Sequence, residues 1–371
     1  MRPQPVLLMV RELGLGGSER QAAEIARALD RSRFEAHVGC FRPNGFRADD
    51  LREAGVPVAE FPVRSFVAPS VLAGAAAFGR YVRQHGIELV HSFDQPSNLF
   101  AVPVARAYGA PRVVSSQRAH RELAGGMRRH LVRLTDLMVD AIVVNCLSVQ
   151  RQLVEQEKVP ASRIRLCYNG LDTAVFRHQR GPRPEALSDA CLVIGVVCAL
   201  RPEKSIDVLL RAFAAVREFR PGLKLAIVGS GPEGGRLTAL AGELGVAGQC
   251  HFEPATGSVA EWLRGIDIFV LPSRSEAFSN SLMEAMASGC CAVASDTGGN
   301  PELVERGRTG LLFAPGDAGA LAECLRLVLE NDALRHRLAQ AGAERIHNDF
   351  SLGAAARAMG AIYESVLEGG V

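Results

Sequence analysis

Glu276 and Glu284 stand eight positions apart in the stretch PSRSEAFSNSLMEAMASG, residues 272–289, which reads as a strand end, a polar loop and the start of a helix. A carboxylate holds the vicinal hydroxyls of a sugar or ribose well, because each hydrogen bond it accepts is charge-assisted. The loop amides and the free N–H groups of the helix terminus suit a phosphate. A plainer reading covers part of the pattern, since Ser281 with Glu284 three residues later makes a capping box. That cap leaves Glu276 and the polar loop unexplained.

Two glycine-rich loops could also meet phosphate. Gly14-Leu15-Gly16-Gly17-Ser18-Glu19 lies between a strand and a helix, where glycines admit a close ligand and the helix terminus supplies unpaired N–H groups. A tight turn with Ser18 as cap and Gln21 as its partner is the alternative. Gly229-Ser230-Gly231-Pro232-Glu233-Gly234 matches the dinucleotide pattern G-x-G-x-x-G, with Glu253 ending the next apolar run. This supports a rival reading as an NAD(P)-dependent oxidoreductase. Against it, the loop follows the second strand of its domain and Pro232 fills a variable slot at the turn.

The elements that must position these residues alternate along the chain. Apolar runs at 6–10, 36–40, 89–91, 113–115, 141–144 and 164–167 predict strands of a first parallel sheet, ordered consecutively through right-handed crossovers. Runs at 192–197, 223–228, 250–252, 268–271, 291–294 and 311–313 predict a second. Helical patterns separate them, among them 21–29, 206–219 and 318–329, and everything after 329 reads as helix. The segment 179–190, with two prolines and a glycine, reads as a linker. The division is 1–178, a linker, and 191–351, and 371 residues suit two cores better than one. The fold class is α/β: two doubly wound domains with the carboxyl ends of both sheets at a central cleft.

Composition excludes several classes. With 48% apolar and 22% charged residues the chain should fold throughout. The longest apolar stretch, 66–78, is broken by Pro69 and Gly74 and is too short to span a bilayer. The run Val6–Val10 is too short for a signal peptide, so the expected location is the cytoplasm. Nine scattered cysteines without metal-ligand spacing read as reduced core residues. Residues 1–190 carry a formal +7 and residues 191–371 a formal −5. The basic half suggests an anionic partner, and the charge is too sparse for nucleic acid. A membrane surface or lipid phosphate fits better.

At this point the sequence resembles glycosyltransferase family 4, the retaining enzymes of the GT-B fold also described as glycosyl transferases group 1. The likeness covers nearly the whole chain. It is carried by Glu276 and Glu284 with their flanks, Asn169-Gly170-Leu171-Asp172, Pro202-Glu203-Lys204, Gly229 to Pro232, Gly298-Gly299-Asn300-Pro301-Glu302 and Thr309-Gly310-Leu311-Leu312. The resemblance implies a nucleotide-sugar donor, no metal or other cofactor, and a hexosyl transfer that retains configuration by front-face displacement. The transfer would serve polysaccharide, lipopolysaccharide or glycolipid synthesis, with a lipid-linked or saccharide acceptor. It implies Lys204 at the diphosphate, Glu284 at the ribose, and Glu276 with the backbone of Phe278 and Ser279 at the donor sugar. Gly16, Gly17, Gly231, Asn280 and Leu282 complete the donor contacts, and the last helix, 352–371, returns to the first domain as it often does in the family.

Three departures stand out. The family's Gly-Arg-Leu before the lysine is Cys198-Ala199-Leu200, so its arginine is missing. Arg201 either replaces it or is a solvated loop residue. Where the family often has a histidine, this chain has Gln117 followed by Arg118, with His91 and His120 nearby as acceptor-side candidates or as structural residues. Ser205 replaces the usual glycine after the lysine, with little effect expected. The losses keep open a catalytically silent nucleotide-sugar binder. Finally, Arg118, Arg121, Arg128, Arg129, His130 and Arg133 interleave with Leu123, Met127, Leu131 and Leu134. This is either a basic amphipathic helix lying peripherally on the inner face of an anionic membrane or a solvated helix face.

Overall fold

The computed structural model of the protein describes residues 2–14, 16–66, 68–121, 126–178 and 183–369. Leu15, Leu123 and linker residues 179–182 therefore lie outside the described residues, as does the side chain of Arg128. The chain divides into two compact units, Met1–Gly170 with Leu352–Val371, and Leu171–Ser351. Residues 171–178 thus pack with the second unit and the last helix with the first.

The first unit holds seven parallel strands: β1 (Gln4–Glu12), β2 (Phe34–Arg42), β3 (Val58–Glu60), β4 (Leu89–Ser92), β5 (Arg112–Gln117), β6 (Ala141–Val144) and β7 (Ile164–Leu166). Their order is β3-β2-β1-β4-β5-β6-β7. This corrects the expectation of consecutive strands: after β3 the chain crosses back to the far side of β1, so helices cover both faces. β3 escaped notice in the sequence because only Ala59 of its three residues is buried. Val6, Leu8 and Val10 share one face of β1 and pack with Ile25 of helix Gly17–Ala28. Met359 and Tyr363 of helix Leu352–Leu367 join the same cluster, which ties the chain's last helix to its first strand.

The second unit holds β8 (Leu192–Val197), β9 (Leu223–Val228), β10 (Cys250–Glu253), β11 (Ile268–Leu271), β12 (Cys291–Ser295) and β13 (Leu311–Phe313), ordered β10-β9-β8-β11-β12-β13 and all parallel. Every residue of β8, β11 and β12 is buried, as a sheet covered on both faces requires. The chain from Arg183 to β8 is no loose tether: residues Glu185–Leu187 form a 3-10 turn with Leu187 fully buried, and Arg183 bonds Asp267 at 2.6 Å. Each sheet reverses its strand order beside its first strand, and in each unit the loops leaving that point carry candidate residues. All nine cysteines are free, and Cys191 is exposed where a core position was expected.

Candidate active site

β8 and β11 are neighbours at the second sheet's switch point, and Lys204 and Glu276 lie on the loops that leave them. The β8 loop is stitched to the loop after β9: Leu200 N donates to Ser230 O at 3.0 Å and Glu233 N to Leu200 O at 3.1 Å. This contact explains the second glycine-rich loop. A Cβ at Gly229 would lie 1.9 Å from the Cys198 carbonyl oxygen, and one at Gly231 would lie 2.3 Å from that of Leu200. These glycines let two loops touch, so the dinucleotide reading loses its main support.

The chain then makes a 3-10 turn, Pro202–Lys204, and enters helix Ile206–Val216 through Ser205, whose φ of 50° and ψ of 44° are left-handed. Glycine takes that conformation without strain and serine does not. The substitution at 205 therefore has a structural consequence, contrary to the expectation of little effect. Lys204 Nζ reaches both carboxylate oxygens of Glu276, at 2.7 and 3.0 Å. Burial disfavours the ammonium, but the charge and hydrogen bonds of Glu276 outweigh it, so the Lys204 pKa is raised and the cation is secured.

Glu276 is held by its loop's backbone. Arg274 N donates to Glu203 O at 2.8 Å, Ser295 Oγ to Ser273 O at 2.6 Å, and Gly299 N to Ala277 O at 2.7 Å. A Cβ on Gly298, at φ +57°, would come within 1.6 Å of the Glu276 carbonyl oxygen. Phe278 anchors the loop's far end against Phe350, with ring centroids 5.3 Å apart. Helix Asn280–Ala287 begins with Ser279 as its cap, whose Oγ accepts from Leu282 N at 3.3 Å. Ser281 is therefore not the cap, and Glu284, one turn inside the helix and 5% exposed, is not part of a capping box. Leu282 sends its side chain into the core, while Asn280 stays half-buried. Arg201 is exposed and forms no ion pair among the described residues.

The sequence model described as Glycosyl transferases group 1 matches residues 182–345, and that described as Glycosyltransferase Family 4 matches residues 15–175. A D-inositol 3-phosphate glycosyltransferase of Nocardioides sp. is 31% identical over 332 residues, 81% of this chain and 67% of its own length. The chain belongs to glycosyltransferase family 4. It spans about half the length of other curated relatives, such as 52% of a D-inositol 3-phosphate glycosyltransferase of Streptomyces avermitilis, 31% identical over 62% of this chain. The structure of Anabaena Alr3699/HepE in complex with UDP and glucose superposes with a TM-score of 0.85 at 20% identity, covering 97% of this chain and 99% of that one. The fold of this family 4 glycosyltransferase is GT-B.

In its first unit the phosphate-loop candidates look different from their sequence. Helix Gly17–Ala28 is preceded by Gly16 as N-cap with no side-chain cap, so Ser18 lies in the first turn. Gln21 instead clamps Gly170, its Nε2 donating to the carbonyl at 2.8 Å and its Oε1 accepting from the amide at 3.0 Å. A Cβ on Gly16 would meet the carboxylate end of Glu19, which folds back over this turn. Burial raises the Glu19 carboxyl above its ordinary range, and Asp94 and Glu12 add to this. Asp94 accepts from Arg11 N at 2.8 Å and Ser97 N at 2.8 Å, joining the ends of β1 and β4. Neither acid stood out beforehand, though Asp94 before Gln95-Pro96-Ser97 carries a helix-start signal.

The acceptor-side candidates of this glycosyltransferase divide. His91 is fully buried, its Nδ1 2.8 Å from Tyr363 Oη and its Nε2 2.9 Å from Ser116 Oγ, so both nitrogens are committed to internal bonds. Burial, with Arg118 nearby, holds its pKa well below the usual value. Gln117 is also buried and bonds Ala119 O and Arg121 Nε. Arg118 lies 5.4 Å over the Phe93 ring and donates to Asn169 Oδ1, and burial lowers its pKa to about 10. His120 pairs with Gln152 Oε1 at 3.3 Å and is half-buried.

The basic segment is corrected more sharply. Arg121 is buried with Asp136 at 2.7 Å, and Arg129 and Arg133 both grip Glu157. Helix Gly126–Leu137 instead exposes an apolar stripe, Met127, Leu131, Leu134 and Leu137, Met127 by 80%, with Met138 just beyond its end and His130 exposed among them. Among the described residues, no helix is long and apolar enough to cross a membrane.

Proposed function

We propose that this chain moves a hexosyl group, with retention, from a nucleoside diphosphate sugar to a hydroxyl of a lipid-linked or saccharide acceptor, in polysaccharide, lipopolysaccharide or glycolipid synthesis. The observation that carries the reading is the Lys204–Glu276 pair at the second sheet's switch point, with Glu284 on the helix beyond it. As the bond from the anomeric carbon to the diphosphate breaks, Lys204 offsets the charge growing on the leaving oxygens, where such a fixed cation contributes most. Glu276 and Glu284 accept from hydroxyls of the donor sugar and the ribose. The acceptor oxygen bonds the anomeric carbon on the face the diphosphate leaves, and its proton passes to a phosphate oxygen. The reaction proceeds without a metal, so a chelator leaves its rate unchanged.

UDP and UDP-glucose are the first donors to test, since complexes of Anabaena Alr3699/HepE contain them. Incubated with a panel of nucleotide sugars, the protein should release nucleoside diphosphate and free sugar slowly, and faster with acceptor. D-inositol 3-phosphate, the substrate for which the curated relatives are named, belongs in the acceptor panel. Binding of a donor without any release, across the panel and with acceptors present, overturns transfer in favour of a silent binder.

A peripheral membrane position is part of the proposal, and it rests on the exposed apolar stripe of helix Gly126–Leu137, in place of the basic face. Arg121, Arg129 and Arg133 outnumber Asp136 and Glu157 beside it, which favours an anionic bilayer. The protein should float with phosphatidylglycerol vesicles, and Leu134→Asp with Leu137→Asp should abolish this. Unchanged flotation of the double variant refutes the assignment.

A further inference from the structure

A second cluster of cations lies within the Leu171–Ser351 unit, away from the Lys204–Glu276 pair. Ile266 and Asp267 immediately precede β11, and Ser288 and Gly289 stand one residue before β12, so this cluster sits at the amino edge of the sheet. Lys204 and Glu276 come after the carboxyl ends, about 13 Å away along a four-residue strand. Between these turns and the first turns of helix Asp332–Asp349 is a cavity of about 40 Å³, lined by His178, Arg264, Asp267, Ser288, Arg335 and His336. That volume holds roughly three waters, close to the bulk of a small tetrahedral oxyanion.

The charges around the cavity do not cancel. Asp267, the one acidic wall residue among the described residues, is already engaged by Val193 N at 2.8 Å and Arg183 at 2.6 Å. Asp332 is shared between Arg220 and Arg335, each at 2.7 Å. On the wall itself Arg264 and Arg335 thus face Asp267, which Arg183 already pairs, with the imidazoles of His178 and His336 beside them, and the Asp332 that holds Arg335 is shared with Arg220. Arg335 is held in place with only 7% of its side chain exposed, by Val328 O at 2.9 Å and by Asp332. Arg264 is half-buried on the wall and forms no ion pair among the described residues. A partly desolvated guanidinium without an acid, beside a second fixed one, is the arrangement that receives a dianion through bidentate hydrogen bonds.

We propose that this cavity binds a phosphate dianion, separately from the donor site. The hydroxyl of Ser288 and the ring nitrogens of His178 and His336 supply further donors alongside Arg264 and Arg335. Gly289, at φ +84°, is required for this shape, because a Cβ there would lie 2.4 Å from the His178 ring.

Calorimetric titration of the whole protein with inorganic phosphate tests this, with glycerol 3-phosphate as a second titrant to separate a free anion from a phosphomonoester. Arg264→Gln combined with His336→Gln should weaken binding by about tenfold or more, the loss expected for one charge-assisted pair. Since Arg264 forms no ion pair among the described residues, the variant's unfolding temperature should match the wild type's. Lys204→Met should leave phosphate affinity within about twofold, because the donor site lies elsewhere. Binding of neither titrant overturns the proposal, as does binding that Lys204→Met abolishes and the cavity variant retains.

Discussion

Ser205 tests whether the turn behind Lys204 is built as described. Its φ of 50° and ψ of 44° hold a side-chain-bearing residue in the left-handed region, which costs about 1–2 kcal/mol. Glycine avoids that strain but loses about 0.5–1 kcal/mol more chain freedom on folding. The serine Oγ is buried with no partner among the described residues, so alanine, which also lacks the hydroxyl, is the proper comparison. Glycine should therefore exceed alanine in stability by about 0.5–1 kcal/mol, the reverse of the order at an ordinary helical position. For a domain the size of Leu171–Ser351, that corresponds to about 1–4 °C in Tm. Thermal and urea unfolding of Ser205→Gly and Ser205→Ala measure it, with the urea slope required to stay constant. Alanine the more stable of the two would refute the left-handed turn, and with it the account of how Lys204 is aimed.

Lys204→Met should lower kcat for sugar transfer by about 100- to 1000-fold, as loss of one fixed transition-state partner does, and steady-state release of nucleoside diphosphate reads it. Gly298→Ala places a methyl 1.6 Å from the Glu276 carbonyl oxygen at φ +57°; the clash should destabilise the unit by about 1–3 kcal/mol and reduce transfer, seen by unfolding and rate together. His91 stays neutral in the fold while the unfolded chain titrates near 6.5. The stability from this group is therefore present above pH 6.5 and lost as pH falls below it, by up to about 1.4 kcal/mol per pH unit. Urea unfolding at pH 7 and pH 5.5 should show that loss in the wild type and a smaller one in His91→Gln.

The alternation of apolar runs determined the two sheets, because strands covered by helices are built around apolar residues and such a run marks twelve of the thirteen strands. The spacing of Glu276 and Glu284 and the family motif around Lys204 singled out the candidate residues in the sequence, and the fold brings Lys204 and Glu276 into contact. Only the tertiary structure decided which glycines serve contacts between loops. Gly229, Gly231 and Gly298 sit against Cys198, Leu200 and Glu276, partners tens of residues away that no local pattern reveals. The same holds for charge. Arg121, Arg129 and Arg133 looked like a cationic face until the fold brought Asp136 and Glu157 to them. His91 stood as an acceptor-side candidate or a structural residue until Tyr363 of the last helix engaged it. Sequence records a residue's chemistry, whereas packing across distant segments determines what remains free to act.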